Sequence, residues 1–213
     1  MYQYILFDFD GTVFDTVEGI TKSVKYAANK IGLDAPLEEL RRFAGPPLTD
    51  MFMEHFGISQ EAAEQAVTDF RERYLPIGLY ESRAFPGVKE LLIELRAAGR
   101  RLGLATSKPQ ELAEELLSRE GMLELFDVIS GSGGEGGGGT KQQVLTRAME
   151  LLGAGADDAV LVGDTKYDVE GARLCSVPCI GVAYGYAAEG ELAAAGAVAI
   201  AEDIEALREL LLA

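Results

Sequence analysis

The sequence predicts an α/β fold: a mainly parallel sheet with one inserted helical block. Two observations predict it. Short apolar runs alternate with amphipathic stretches along most of the chain, as strand–helix–strand units require. One stretch, from about Thr16 to Glu81, carries helical signals and no convincing strand.

Tyr4–Phe9 is a short apolar run that ends in acid and glycine, and it reads as the first strand. Then come helical signals at about 17–31, 37–43, 48–55 and 60–73, with a short last piece. Pro36 suits a helix start and Ser59 an N-cap, and Gly45-Pro46-Pro47 forces a break. This block reads as a subdomain over 16–81, inserted into a core formed by 1–15 and 82–213, with hinges near Asp15–Thr16 and Ser82–Pro86. Val88–Ala98 places Val88, Leu91, Leu92 and Leu95 at helical spacing, and Gly99 stops it. Arg101–Thr106 is the second strand, and Pro109 opens a helix through about Arg119. Phe126–Ile129, Ala159–Val162 and Cys179–Val182 are the third, fourth and fifth strands, with a weak sixth at Ala197–Ile200. Lys141–Leu152 is an amphipathic helix between the third and fourth.

Composition excludes several classes. The 213 residues carry 19 basic and 35 acidic side chains, a formal charge of −16. That charge opposes a nucleic-acid backbone and an anionic membrane surface. An anionic substrate needs a local cation, such as Mg²⁺ or a lysine, to enter. Cys175 and Cys179, with His55 as the one histidine, do not make a zinc site, and both read as free thiols in or beside an apolar run. The N-terminus lacks a basic lead and meets Asp8 too soon for a signal peptide, and no run of about 18 apolar residues suits a membrane span. A cytoplasmic location is the expectation.

The chemistry concentrates at strand ends, where ligands bind in open α/β sheets. Asp8-Phe9-Asp10-Gly11-Thr12 follows the first strand, and Gly163-Asp164-Thr165-Lys166-Tyr167-Asp168 follows the fourth. If those strands are neighbours, the carboxylates of Asp8, Asp10 and Asp164 converge on one point, a hard oxygen site for Mg²⁺. Thr106 and Ser107 end the second strand and offer hydroxyl and N–H donors at a helix N-terminus. Lys141 opens a helix and supplies a point charge for a phosphate.

This ordered set resembles the haloacid dehalogenase-like (HAD) hydrolase superfamily over essentially the whole chain. Asp8 and Asp10 match its first motif, Thr106 the second, Lys141 the third, and Gly163-Asp164 with Asp168 the fourth. The insert resembles the small helical cap of the phosphoglycolate phosphatase-like subfamily, as do Phe85-Pro86-Gly87-Val88 and Gly181-Val182-Ala183-Tyr184-Gly185. The resemblance implies a Rossmann-like sheet in the order 5-4-1-2-3, counted over the predicted strands. It implies that Asp8 attacks phosphorus to form an aspartyl-phosphate and, as an ionised carboxylate, needs no base. Asp10 would protonate the leaving oxygen and then activate water, which requires it to hold a proton. Mg²⁺ would be held by Asp8, the Asp10 carbonyl and Asp164. Asp168 would orient the site or Lys141, and Thr106, Ser107 and Lys141 would bind phosphoryl oxygens. Gly45, Pro46, Pro47 and Leu48 form the cap turn expected to contact the leaving group.

Departures sort the family's chemistries. Dehalogenases lack the second acid that Asp10 supplies. Hexose-phosphate mutases carry a histidine where this chain has Ile20, and a phosphonatase lysine is not indicated, because Lys22, Lys25 and Lys30 read as a solvated helix face. The expected activity is Mg²⁺-dependent hydrolysis of a small phosphorylated metabolite, phosphoglycolate phosphatase-like. The rivals are a nucleoside-monophosphate phosphatase, a pyrophosphatase, and a regulatory protein that only binds a phospho-ligand. Oligomeric state is not readable.

Other motifs are set aside. Residues 131–139 hold seven glycines in nine positions, and a tract this rich matches G-x-G-x-x-G by chance; the Walker-like run ending Gly139-Thr140-Lys141 has Thr and Lys in the wrong order. His55 reads as a capping or half-buried residue, and Phe43, Phe52, Phe56 and Phe70 as the insert's own core. Glu111, Glu114, Glu115 and Glu120 read as a solvated helix face.

Overall fold

The computed structural model describes residues 2–133 and 139–213. The chain runs β1 (Tyr4–Phe7), β2 (Phe14–Asp15), α1 (Val17–Lys30), α2 (Leu37–Leu40), α3 (Leu48–Phe56), α4 (Gln60–Tyr74), β3 (Arg83–Ala84), α5 (Val88–Ala97) and β4 (Arg101–Pro109). It continues with α6 (Gln110–Arg119), β5 (Val128–Ser132), α7 (Lys141–Leu152), β6 (Ala159–Gly163), α8 (Lys166–Leu174), β7 (Cys179–Val182), α9 (Glu191–Ala195), β8 (Ala199–Ala201) and α10 (Ile204–Leu212). It divides into two compact units, Met1–Phe14 with Ala84–Ala213, and Asp15–Arg83.

The first unit is an α/β layer structure around a six-stranded sheet in the order β5-β4-β1-β6-β7-β8, parallel at every neighbouring pair. The expected order 5-4-1-2-3 is extended by β8, which pairs outside β7. β1 sits in the middle, so it reads as a continuous apolar run rather than an alternating one. Ile5, Leu6 and Phe7 are fully buried or nearly so, each contributing roughly 1.5–3 kcal/mol. α7 and α8 pack beside the sheet through Val144, Leu145, Ala148, Val169 and Ala172, all within one apolar cluster.

The second unit is helical. α4 packs against both α1 and α3. Phe43 meets Phe52 and His55 edge-on, and Phe56 stacks on Phe52, so His55 belongs to an aromatic cluster. Ser59 caps α4 by accepting from the Ala62 N–H. Lys22, Lys25 and Lys30 pair with carboxylates on neighbouring segments: Glu81, Asp34, and Asp69 with Glu72.

Several boundaries differ from the sequence reading. β5 continues three residues past a pattern expected over Phe126–Ile129. Arg147 on α7 holds this extension, with Nε donating to Ser130 Oγ at 3.0 Å and a terminal nitrogen to the Gly131 carbonyl at 3.1 Å. Pro109 is the N-cap of α6 rather than its first residue. α8, α9 and α10 were not anticipated. The glycine-rich matches at 131–139 fall partly outside the described residues.

Candidate active site

Parallel register brings the strand ends together. Phe7 lies opposite Leu104 on β4 and Val162 on β6, so residues just beyond emerge at the same edge of the sheet. The Asp8 N–H donates to the Val162 carbonyl at 2.9 Å, which carries the pairing one residue past β1. Asp164 follows the last residue of β6 and is completely buried.

Two loops close on Asp164. The Tyr186 N–H donates to its Oδ2 at 2.9 Å, and the Thr12 hydroxyl donates to its Oδ1 at 3.4 Å. Gly11 has φ +81°, and a Cβ there would lie 2.0 Å from Asp164 Oδ2. Gly11 is therefore required both by its left-handed backbone and by the approach of the carboxylate. The Tyr184 hydroxyl donates to the Thr12 carbonyl at 3.0 Å, tying the loop after β7 to the loop after β1.

Lys141 is the first residue of α7, which Thr140 caps in a reciprocal arrangement with Gln143. Its buried ammonium lies 2.6 Å from Asp8 Oδ1 and 2.8 Å from Asp168 Oδ1, and it donates to the Ala105 carbonyl at 3.0 Å. Asp168 is fully buried in the first turn of α8. Its Oδ2 accepts from the Thr165 N–H and hydroxyl at 3.0 and 2.8 Å, so it is fixed on one side and holds Lys141 on the other.

Asp8, Asp164 and Asp168 each bring a carboxylate oxygen within 4.8 Å of the others, and all three are buried. The expectation of converging Asp8, Asp10 and Asp164 carboxylates is corrected here. Among the described residues the third member is Asp168, and the Asp10 carboxylate goes to Lys108 instead, at 2.9 and 3.3 Å. The reason is a tertiary partner near the end of β4. Lys108 precedes Pro109, which favours extended backbone at that position. Its ammonium is then held near Asp10 and 5.5 Å over the Phe9 ring.

The placement of Thr106 and Ser107 at a helix N-terminus is also corrected. β4 runs on to Pro109, with irregular pairing to β5 between Ala105 and Pro109, and α6 begins only at Gln110. Thr106 Oγ1 accepts from the Lys108 N–H at 3.1 Å. Gly45, Pro46, Pro47 and Leu48 lie in the helical unit.

Charge completes the description. Three carboxylates against the Lys141 ammonium leave a formal −2, which a divalent oxygen-seeking cation would balance. Burial pushes the Asp8 carboxyl up to about 6, with Lys141 opposing and Asp168 adding to the rise. Burial, then Asp168 and Asp8, push Asp164 well above the ordinary carboxylate range. Burial pulls Lys141 down, but Asp168 and Asp8 outweigh it and keep the ammonium protonated above its usual value. Buried carboxylates raised this way, with oxygen as the only donor type, fit a hard cation such as Mg²⁺.

A pH dependence follows from the Asp8 shift. A raised folded-state value contributes stability that is full below the unfolded value of 3.8 and lost as pH rises through about 6. Asp164 acts in the same direction. In EDTA, chemical denaturation is expected to show stability falling from pH 4 to pH 7, on the order of 3 kcal/mol from Asp8. Mg²⁺ at pH 7 should recover it. Flat stability over this range would mean that the acids are not strained by burial.

Comparison with known proteins now defines the class. A family model described as haloacid dehalogenase-like hydrolase matches residues 5–182, and the chain belongs to this family. It is an enzyme of the family's phosphatase kind. The chain is 40% identical over 211 residues to a 5'-nucleotidase of Pseudomonas aeruginosa, covering 99% of this chain and 96% of that protein. It is 32% identical over 212 residues to a plasmid phosphoglycolate phosphatase of Cupriavidus necator, covering 97% and 92%. The crystal structure of a predicted phosphatase from Clostridium acetobutylicum superposes with a TM-score of 0.94 at 40% identity, over 100% and 99% of the two chains. No helix among the described residues is long and apolar enough to cross a membrane.

Sequence reasoning missed Lys108 and Tyr186. Lys108 had a signal, as the third residue of Thr106-Ser107-Lys108 before a proline. Tyr186 had none, because it acts through its backbone N–H.

Proposed function

We propose that this protein hydrolyses a small phosphate monoester with Mg²⁺, through an aspartyl-phosphate on Asp8. The observation that carries the reading is Asp8 at the end of the central strand, 2.6 Å from the Lys141 ammonium and within a buried acidic group of formal charge −2. Asp8 Oδ attacks phosphorus as the bond to the leaving oxygen breaks, and Asp10 gives that oxygen its proton. Water then attacks the aspartyl-phosphate, Asp10 takes the water proton, and the bond from phosphorus to Asp8 breaks to release phosphate. Lys141, Thr106 and Ser107 bind the transferring phosphoryl oxygens, and Asp168 keeps Lys141 in place. Asp8, Asp164 and the Asp10 carbonyl would hold Mg²⁺, which supplies charge neutralisation at the phosphoryl group.

Two substrates lead. Phosphoglycolate follows from the C. necator relative, and a nucleoside monophosphate from the P. aeruginosa relative. Pyrophosphate is third. The helical unit serves as a cap that selects the leaving group, with Gly45, Pro46, Pro47 and Leu48 as its specificity turn, and the enzyme works in the cytoplasm.

The test is hydrolysis of p-nitrophenyl phosphate with Mg²⁺, followed by a panel of phosphorylated metabolites. Activity should vanish in EDTA. Ca²⁺ should restore less than a tenth of it, because its bonds are longer than the about 2.0–2.1 Å of Mg²⁺ and would displace Asp8. Full activity in excess EDTA would refute the metal assignment.

A further inference from the structure

We propose that Lys108 is a positioning residue that holds the Asp10 carboxylate out of the metal-holding acids and keeps it for proton transfer. This rests on the hydrolase reading above. The motive is a division visible at the sheet edge. Asp8, Asp164 and Asp168 form one buried group and share Lys141, while Asp10, two residues from Asp8, stands outside it. Its carboxylate is gripped at both oxygens by Lys108, at 2.9 and 3.3 Å. The lysine side chain is 4% exposed and that of Asp10 14%. A buried ammonium without a partner is strongly unfavourable, so the pair is held against competing positions.

The lysine itself is well located. Its N–H bonds Thr106 Oγ1 at 3.1 Å, Pro109 constrains its backbone, and its ammonium sits 5.5 Å over the Phe9 ring, a cation–π contact. Phe9 lies between Asp8 and Asp10 in sequence and is fully buried. The same turn that sends Asp8 to Lys141 therefore sends Asp10 to Lys108. A second carboxylate able to swing onto the cation would be lost as a proton carrier, and Lys108 prevents that. In the reaction, Asp10 gives its proton to the leaving oxygen as the phosphorus–oxygen bond breaks and recovers one from the attacking water. Lys108 exchanges no atoms or electrons.

The test separates proton transfer from general damage by varying the leaving group. Lys108→Met and Lys108→Gln are assayed for kcat/KM on p-nitrophenyl phosphate, whose leaving anion needs no proton, and on phosphate monoesters of simple alkyl alcohols, whose leaving oxygen does. Thermal melts show which variants fold. The expected result in a folded variant is a loss under tenfold for p-nitrophenyl phosphate and about 100-fold or more for the alkyl esters, within the usual span of general acid catalysis. In an Asp10→Asn background, Lys108→Met should change either rate less than threefold, because it acts through Asp10. An equal loss for both ester types, or an undiminished effect without Asp10, would overturn the proposal. If Lys108→Met does not fold, the same split is required of Lys108→Gln. If neither folds, Lys108 is a structural residue and the proposal is overturned. A wild-type protein that hydrolyses none of the esters would overturn the hydrolase reading, and this inference with it.

Discussion

Asp8→Asn is expected to remove turnover while the protein stays folded. The amide has the shape of the carboxylate but cannot form the phosphoaspartate. The loss should be at least about 10³-fold, or about 4 kcal/mol of barrier. Stability should not fall with it. Ionising Asp8 works against burial, which is why its carboxyl is pushed up to about 6, and a neutral amide removes that opposition. Metal-free Asp8→Asn should therefore be at least as stable as wild type at pH 7, despite losing the 2.6 Å ion pair with Lys141. Urea melts in EDTA and a steady-state assay read the two halves separately. Activity within tenfold of wild type would end the nucleophile assignment.

Lys141→Met should damage both activity and stability, in a pattern set by pH. The ammonium touches Asp8, Asp168 and the Ala105 carbonyl, and it is the cation bonded to the acidic group. Methionine fills the stem but leaves two buried carboxylates facing each other. Removing one partner of a buried pair is worth about 3–5 kcal/mol. That loss is expected in metal-free protein at pH 7.5 and should shrink at pH 4.5, where Asp8 takes up a proton and becomes neutral. Turnover with Mg²⁺ should drop by about 10² or more, because the phosphoryl oxygens lose their fixed positive charge. A pH-independent destabilisation would point to lost packing instead.

What could be read from the sequence tracks how local the determining force is. Asp8 and Asp164 were legible because each ends an apolar run, and such a run in a parallel sheet delivers its next residue to the ligand edge. Lys141 was legible from its place at the start of an amphipathic helix. The direction of the Asp10 carboxylate was not, since it depends on a lysine 98 positions away in the chain. Asp168 read as one acid of a motif, yet the same side chain closes a capping box with Thr165 and so also starts α8. The last residues of β5 escaped notice because Gly131-Ser132 lacks strand propensity. Pairing with β4 and the reach of Arg147 hold them extended. Tertiary partners overrode local preference there.

The central place of β1 bears on biosynthesis. Among the described strands Tyr4–Phe7 is made before the others, yet both its hydrogen-bonding edges are filled by strands made much later, β4 at Arg101–Pro109 and β6 at Ala159–Gly163. At roughly 5–20 residues per second, the wait for β6 on the ribosome is on the order of 10 s. Until β4 is made both edges of this apolar segment are open to any passing strand or chaperone, and until β6 is made one still is. Non-local parallel pairing is also intrinsically slow. The helical stretch Asp15–Arg83 has its own apolar interior and can form while β1 waits. Emergence of residues 163 and 164, rather than of Asp8, Asp10 or Lys141 before them, is thus the event that first encloses β1 on both sides and brings Asp8 and Asp164 to the same edge.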